Sequence, residues 1–188
     1  MFYTLSLNEL KKIEKNLSFY DFKNLDAKNQ LLIKLSDEID ITRYDDVQFG
    51  GSIENFIYLS NVLKLIIMDL IQYLFQEPVI LSKYQNNWII DRNKNIELYK
   101  FLKLEKIRNN YSGALCINDN IILKEFIDAN FKFNSFVQFI FPNSKIIITP
   151  TDHLDIFIAS SNIDETYNII CRIISSNSIE NIISISKV

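Results

Sequence analysis

Three glycines, three prolines and one histidine in 188 residues exclude more chemistry than any feature present. Familiar phosphate loops need several glycines at close spacing or a Gly-Lys-Ser/Thr sequence, and Gly50, Gly51 and Gly113 supply neither. With His153 as the single histidine, zinc sites built from several imidazoles of one chain are ruled out. Cys116 and Cys171 are two in number and far apart, so they read as reduced, small apolar residues and not as a disulfide. No secretory leader is expected either, because Asn8, Glu9, Lys11 and Lys12 break up the apolar run such a leader needs. A cytoplasmic location is the expectation. The most apolar stretch, residues 56–75, has the length of a membrane span, yet Asn61, Lys64, Asp69 and Gln72 fall inside it. A buried helix fits better, and no membrane contact is expected.

What is present describes a folded chain. Hydrophobic residues make up 48% and charged residues 23%, the balance of globular domains and not of disordered ones. A compact unit of this length buries roughly 70% of its unfolded surface, enough for one core. Asn, Ile, Lys, Phe and Tyr are abundant while Gly, Pro and Ala are scarce, the signature of an AT-rich gene. A low-GC microbe or mobile element is the expected source, and abundance of Asn or Lys is therefore no sign of function.

Ser6 and Glu9 have the spacing of a capping box, followed by Leu10, Ile13 and Leu17 at helical intervals. From Ser52 apolar residues cover most of a helical circumference, leaving a polar stripe at Asn61, Lys64, Asp69, Gln72 and Gln76. Pro78 marks the end of that helix, which is expected to be the central buried one. Residues 79–84 and 88–90 read as strands or extended segments, 96–107 as helix, 114–117 as strand and 120–130 as helix. Strands at 135–141, 145–149 and 153–159 follow with short turn-forming links, which predicts an antiparallel meander. A helix at 163–174 and a last strand at 181–186 complete the pattern, while 31–35 reads as a helix end or a short strand. The expected class is α+β, with a helical N-terminal half packed on a C-terminal antiparallel β-meander flanked by helices. Residues 1–188 are expected to form one globular domain, divisible at most into a mainly helical 1–110 and a sheet-bearing 111–188.

Four segments carry candidate chemistry. His153 and Asp155 alternate onto one strand face, opposite Leu154, Ile156 and Ile158, and imidazole beside carboxylate is the pairing that orients a general base. With Asp152 they are the catalytic candidates, although an ordinary polar contact beside a turn explains them as well and no nucleophile signature accompanies them. Residues 91–95 imitate the opening of a calcium loop, but Ile96 stands where the sharp turn needs Gly and Leu102 where the ion needs a bidentate acid. No metal or other cofactor is expected. Residues 83–108 hold seven bases against three acids, with Tyr99 and Tyr111 close to Lys100, Lys103, Lys106 and Arg108. Nucleic-acid proteins combine bases and aromatics this way, and so does the wet face of a helix.

The fourth segment weighs most. Asp37, Glu38, Asp40, Asp45 and Asp46 stand against the lone Arg43, with Tyr44 and Phe49 nearby. Such a run docks a basic protein surface, binds a divalent cation, or simply keeps a loop soluble. The leading functional expectation is a protein-binding module, in its sharpest form a cytoplasmic immunity-type inhibitor. It would neutralise a basic toxin or nuclease through Asp37, Glu38, Asp40, Tyr44, Asp45 and Asp46. The alternatives are a small hydrolase or transferase using His153 with Asp155, and nucleic-acid binding through the lysine stretch, a nucleic acid being the less expected partner.

Overall fold

The computed structural model describes residues 2–27, 29–74 and 78–188, with the backbone alone of Gln48. The elements run β1 (Phe2–Leu5), α1 (Leu7–Asn16), β2 (Tyr20–Asp21), β3 (Asp26–Ala27), β4 (Gln30–Leu35) and a 3-10 turn (Asp45–Phe49). Then come α2 (Ile53–Tyr73), β5 (Val79–Lys83), α3 (Ile96–Leu104), β6 (Ala114–Ile117) and α4 (Asn120–Phe131). The chain ends with β7 (Val137–Phe141), β8 (Ile146–Thr151), β9 (Asp155–Ser160), α5 (Ile163–Ser176) and β10 (Ile183–Lys187). Gln76 of the polar stripe and Phe75 lie outside the described residues.

The α+β class holds. Eight strands form one antiparallel sheet in the order β1-β6-β5-β7-β8-β9-β4-β10, and β2 and β3 pair separately. The expected meander is its centre: Phe139 pairs with Ile148 and Ile148 with Ile158. Beyond the helices expected of the first half, three strands from it, β1, β4 and β5, enter the same sheet.

Alternation divides the sheet into two faces. Leu31, Ile33, Leu81, Leu115, Phe139, Phe141, Ile148, Ile156 and Ile158 join buried residues of α2, α3, α4 and α5 in the main core. The other face presents Ile80, Ala114, Cys116, Ile140, Ile147 and Ala159 to Leu10 and Leu17 of the first helical segment and to Tyr20 of the small hairpin. The result is three layers, with the sheet between a large helical layer and a small mixed one.

Local signals explain the boundaries. Ser6 accepts from the Glu9 N–H while the Glu9 carboxylate accepts from the Ser6 N–H, the full capping box. The Ser52 hydroxyl likewise accepts from the Asn55 N–H to start α2. That helix is central, but it is buried on one side only. Phe56, Leu59, Leu63, Ile66, Ile67, Leu70 and Ile71 face inward, whereas Ile57, Tyr58 and Leu65 are 49%, 56% and 38% exposed. By length and composition α2 can cross a membrane, and half of its most apolar stretch is buried against the rest of the chain. Its stripe is tied to neighbours: Lys64 pairs with Asp128 of α4 at 2.6 Å, and Asp69 accepts from Asn177 just beyond α5 at 2.9 Å.

Strand β1 is held where glycine is obligatory. A side chain at Gly113 would run into the Leu5 carbonyl oxygen and the Tyr111 ring, and the Tyr111 hydroxyl donates to that same carbonyl at 2.7 Å. Cys116 is buried and Cys171 half-buried, and both are free.

Candidate functional site

The acidic segment joins β4 to α2. Its five carboxylate residues Asp37, Glu38, Asp40, Asp45 and Asp46 are all exposed, while the backbone beneath them is fixed. Lys34 pairs with Asp37 at 2.7 Å, the Asp40 carbonyl accepts from Asn55 at 3.0 Å, and the Asp46 carboxylate accepts from the Arg43 N–H at 2.8 Å. Gly50 closes the 3-10 turn in the left-handed region at φ 99, which favours glycine. At Gly51 a Cβ would lie 2.8 Å from the Thr42 methyl and 3.0 Å from the Asp46 carbonyl oxygen, so any other residue there must push these neighbours aside. Tyr44 packs edge-to-face with Phe56 with centroids 5.3 Å apart, and the Lys94 ammonium sits over the Tyr44 ring at 5.1 Å. The aromatic ring expected to touch a partner therefore also anchors the segment.

An apolar patch borders these acids. Phe49 is 87% exposed, the most open large hydrophobic residue described, and Ile41 and Ile53 are 40% and 42% exposed. Ile57 and Tyr58, about one turn further along α2, are exposed as well.

The histidine lies elsewhere than the alternation predicted. Strand β8 runs through Thr151, the turn takes residues 152–154, and β9 starts at Asp155. Leu154 adopts φ 57, a left-handed conformation that breaks the two-residue period. Leu154, Ile156 and Ile158 do point into the core, but His153 is exposed at the turn and shares no strand face with Asp155. The charge of His153 favours ionised Asp155, yet no hydrogen bond or ion pair joins the two among the described residues. Thr151 donates to the Asp155 carboxylate instead, and the His153 N–H donates to Thr151 at 3.2 Å. This is the arrangement of a fixed turn, not of an oriented base.

Burial raises the pKa of Asp155, against the opposing pull of the Thr151 hydroxyl, His153 and Arg43, and Asp152 pushes the same way as burial. A carboxyl with a folded pKa above its unfolded value costs stability once ionised, and the cost fades as pH falls through the folded pKa to the unfolded one. Asp155→Asn keeps an acceptor for Thr151 and removes the charge. The variant is expected to melt above the parent at about pH 7.5 and level with it at about pH 3. Thermal unfolding at both pH values checks this, and equal melting at the higher pH refutes it.

The structure does bring two candidate segments together. Arg43, Tyr44, Asp45, Asp46 and Asp152 meet Phe131 and Phe133 around a cavity of about 130 Å³. Asp152 thus belongs to the acidic surface. Among the described residues no group of three His, Cys, Asp or Glu side chains is arranged to hold a metal ion.

The basic stretch divides. Lys100 pairs with Glu97 at 2.7 Å, and Tyr111 packs partly buried against the main core with its hydroxyl on the Leu5 carbonyl. The Asp91 carboxylate accepts from the Asn93 N–H at 2.8 Å, as an ordinary polar turn ahead of α3 would.

Residues 88–90, expected as extended or strand, form no ladder. Their backbone groups are met by side-chain amides and loop carbonyls. The Asn109 amide accepts from the Ile89 N–H at 2.9 Å and donates to the Ile89 carbonyl at 2.8 Å. The Asn134 amide does the same for Asp91, at 2.6 and 2.9 Å. Ser135 donates to the Trp88 carbonyl at 2.7 Å, and the Trp88 indole donates to the Tyr111 carbonyl at 3.1 Å. Asn109 and Asn134 were invisible as special residues because the whole chain is rich in asparagine. Their spacing to the segment they clamp, 20 and 43 residues, leaves no local signal.

No protein-family model matches the chain, and neither a curated protein nor a solved structure matches it.

Proposed function

We propose that the chain is a protein-binding module of the cytoplasm that docks a basic partner on the surface formed by the acidic segment and the outer side of α2. The observation that carries the reading is Phe49, 87% exposed on a turn whose backbone is fixed and whose rim is carboxylate. Apolar anchors surrounded by charge are what a specific interface needs: the anchors hold the complex and the charges speed and select encounters. A rigid turn spares the ordering cost of a flexible loop. The immunity-type version of this reading, inhibition of a basic toxin or nuclease, follows from the net charge of −3 and the carboxylate rim.

Association kinetics test it, measured against the product of the adjacent gene and against a panel of basic nucleases. Neutralising Asp37, Glu38, Asp40, Asp45 and Asp46 to Asn or Gln is expected to slow association by roughly tenfold or more at low salt. Phe49→Ala is expected to act mainly on dissociation. A partner whose association rate ignores both salt and the five substitutions would defeat the proposal.

A further inference from the structure

A second concave surface lies beside α3, assembled from the clamped segment that follows β5. The cleft has a volume of about 580 Å³, within the range of small-molecule sites. Ile89, Leu102 and Ile107 give it an apolar wall, and Ile89 and Leu102 are themselves only 3% exposed. Arg92 and Lys103 stand on its rim with the Tyr99 ring. Neither cation makes an ion pair or a side-chain hydrogen bond among the described residues, in contrast to Lys100, which Glu97 neutralises. Asp91 also borders the cleft, but one of its carboxylate oxygens is turned back into its own turn by the Asn93 N–H.

The wall is built to keep its shape. Irregular backbone is normally soft because its N–H and C=O groups exchange with water. Here Asn109 and Asn134 grip Ile89 and Asp91 from both sides. The Trp88 N–H donates to the Asn109 carbonyl at 2.9 Å, and the Ile90 N–H to the Asn134 carbonyl at 2.8 Å. Asn134 is completely buried and spends its second amide hydrogen on Asn95, at the start of α3. One side chain thus ties the wall to the helix that carries Lys103. Preorganised walls of this kind lower the cost of binding.

We propose that this cleft binds a phosphate monoester with an aromatic or otherwise flat apolar body. The body lies against Ile89, Leu102 and Ile107 beside Tyr99, and the phosphate meets Arg92 and Lys103. Arg92 and Lys103, neither held in an ion pair among the described residues, outnumber the single carboxylate of Asp91 on the cleft and give it the positive sign that draws a phosphate monoester near neutral pH, and the arginine fork pairs two phosphate oxygens at once. The cleft shares no lining residue with the cavity beside the acidic segment, and its bases outnumber its acids.

The test is an amide-resolved NMR titration of the full chain with 1-naphthyl phosphate, with 1-naphthol as the uncharged body. The phosphate is expected to saturate with shifts centred on residues 89–92 and 99–109, and the naphthol to bind at least about tenfold more weakly. Arg92→Gln with Lys103→Gln is expected to weaken the phosphate by at least about tenfold and leave the naphthol unchanged. Both residues are exposed, so the variant spectrum itself reports that the fold is kept. Equal affinity for the two probes, an unaffected double variant, or shifts centred on the Phe49 patch each overturn the proposal. So does a single-stranded oligonucleotide that binds more tightly than 1-naphthyl phosphate and spreads its shifts over Lys100, Lys106 and Arg108, since the surface would then be a nucleic-acid track.

Discussion

Asn134→Ala is expected to lower stability by about 3 kcal/mol, although the residue belongs to no helix or strand. Its amide accepts from the Asp91 N–H at 2.6 Å and donates to the Asp91 carbonyl and the Asn95 side chain, each at 2.9 Å. Truncation removes all three bonds at a side chain with 0% exposure, and buried Asn95 and half-buried Asp91 each lose their partner there. Each such loss costs about 1 kcal/mol. In a chain of this length that is a fall in Tm of roughly 6–12 °C. Chemical denaturation gives the free energy directly, and a loss below about 1 kcal/mol would show that the clamp is incidental. Asn134→Asp separates the two halves of the grip, since a carboxylate still accepts from Asp91 but donates to nothing.

Phe126→Ala should be more damaging, at about 4 kcal/mol. Phe126 is fully buried on α4, and its ring meets Trp88 edge-on with centroids 5.9 Å apart. Deleting the ring opens a void between that helix and the segment lining the basic cleft, and it forfeits an aromatic contact of about 1 kcal/mol. Trp88 is the sole tryptophan, so its emission reports the change: the variant is expected to fluoresce to the red of the parent under native conditions. An unshifted spectrum together with a loss under about 2 kcal/mol would mean that α4 collapses into the void.

Both residues show where sequence reading succeeds and where it stops. The capping box at Ser6, the start of α2 after Ser52, and the inward aliphatics Leu154, Ile156 and Ile158 were legible because each rests on a spacing of a few residues. The meander was legible because its links are short. Strand β1 was not, since four residues ahead of a helix cap carry too little pattern, and its partner β6 lies more than a hundred residues away. The pairing of β4 with β9 has the same character. Trp88-Ile89-Ile90 has the composition of a strand, but its hydrogen bonds go to asparagine side chains that no periodicity reveals. His153 was misplaced by a single local event: the positive φ of Leu154 resets the alternation, so the histidine falls in the turn while the aliphatics after it stay in phase. At the acidic surface the residues and their exposure were legible. The contact of Asp152 with them, and the use of Tyr44 as a packing anchor, depend on tertiary proximity.

The placement of β4 sets a schedule for the chain's own synthesis. Leu31, Ile33 and Leu35 form a strand that waits for β9 on one side and β10 on the other, and roughly 120 residues separate it from the nearer of the two. At about 5–20 residues per second, a ribosome needs about 6–24 s to deliver that neighbour. During this interval a mainly aliphatic strand, interrupted only by Gln30 and Lys34, has neither of its native neighbours to join. A nascent polypeptide halted before residue 155 is thus left with an adhesive ribbon at β4, and the emergence of β9 and β10, not local helix formation, is the moment at which this part of the sheet can close.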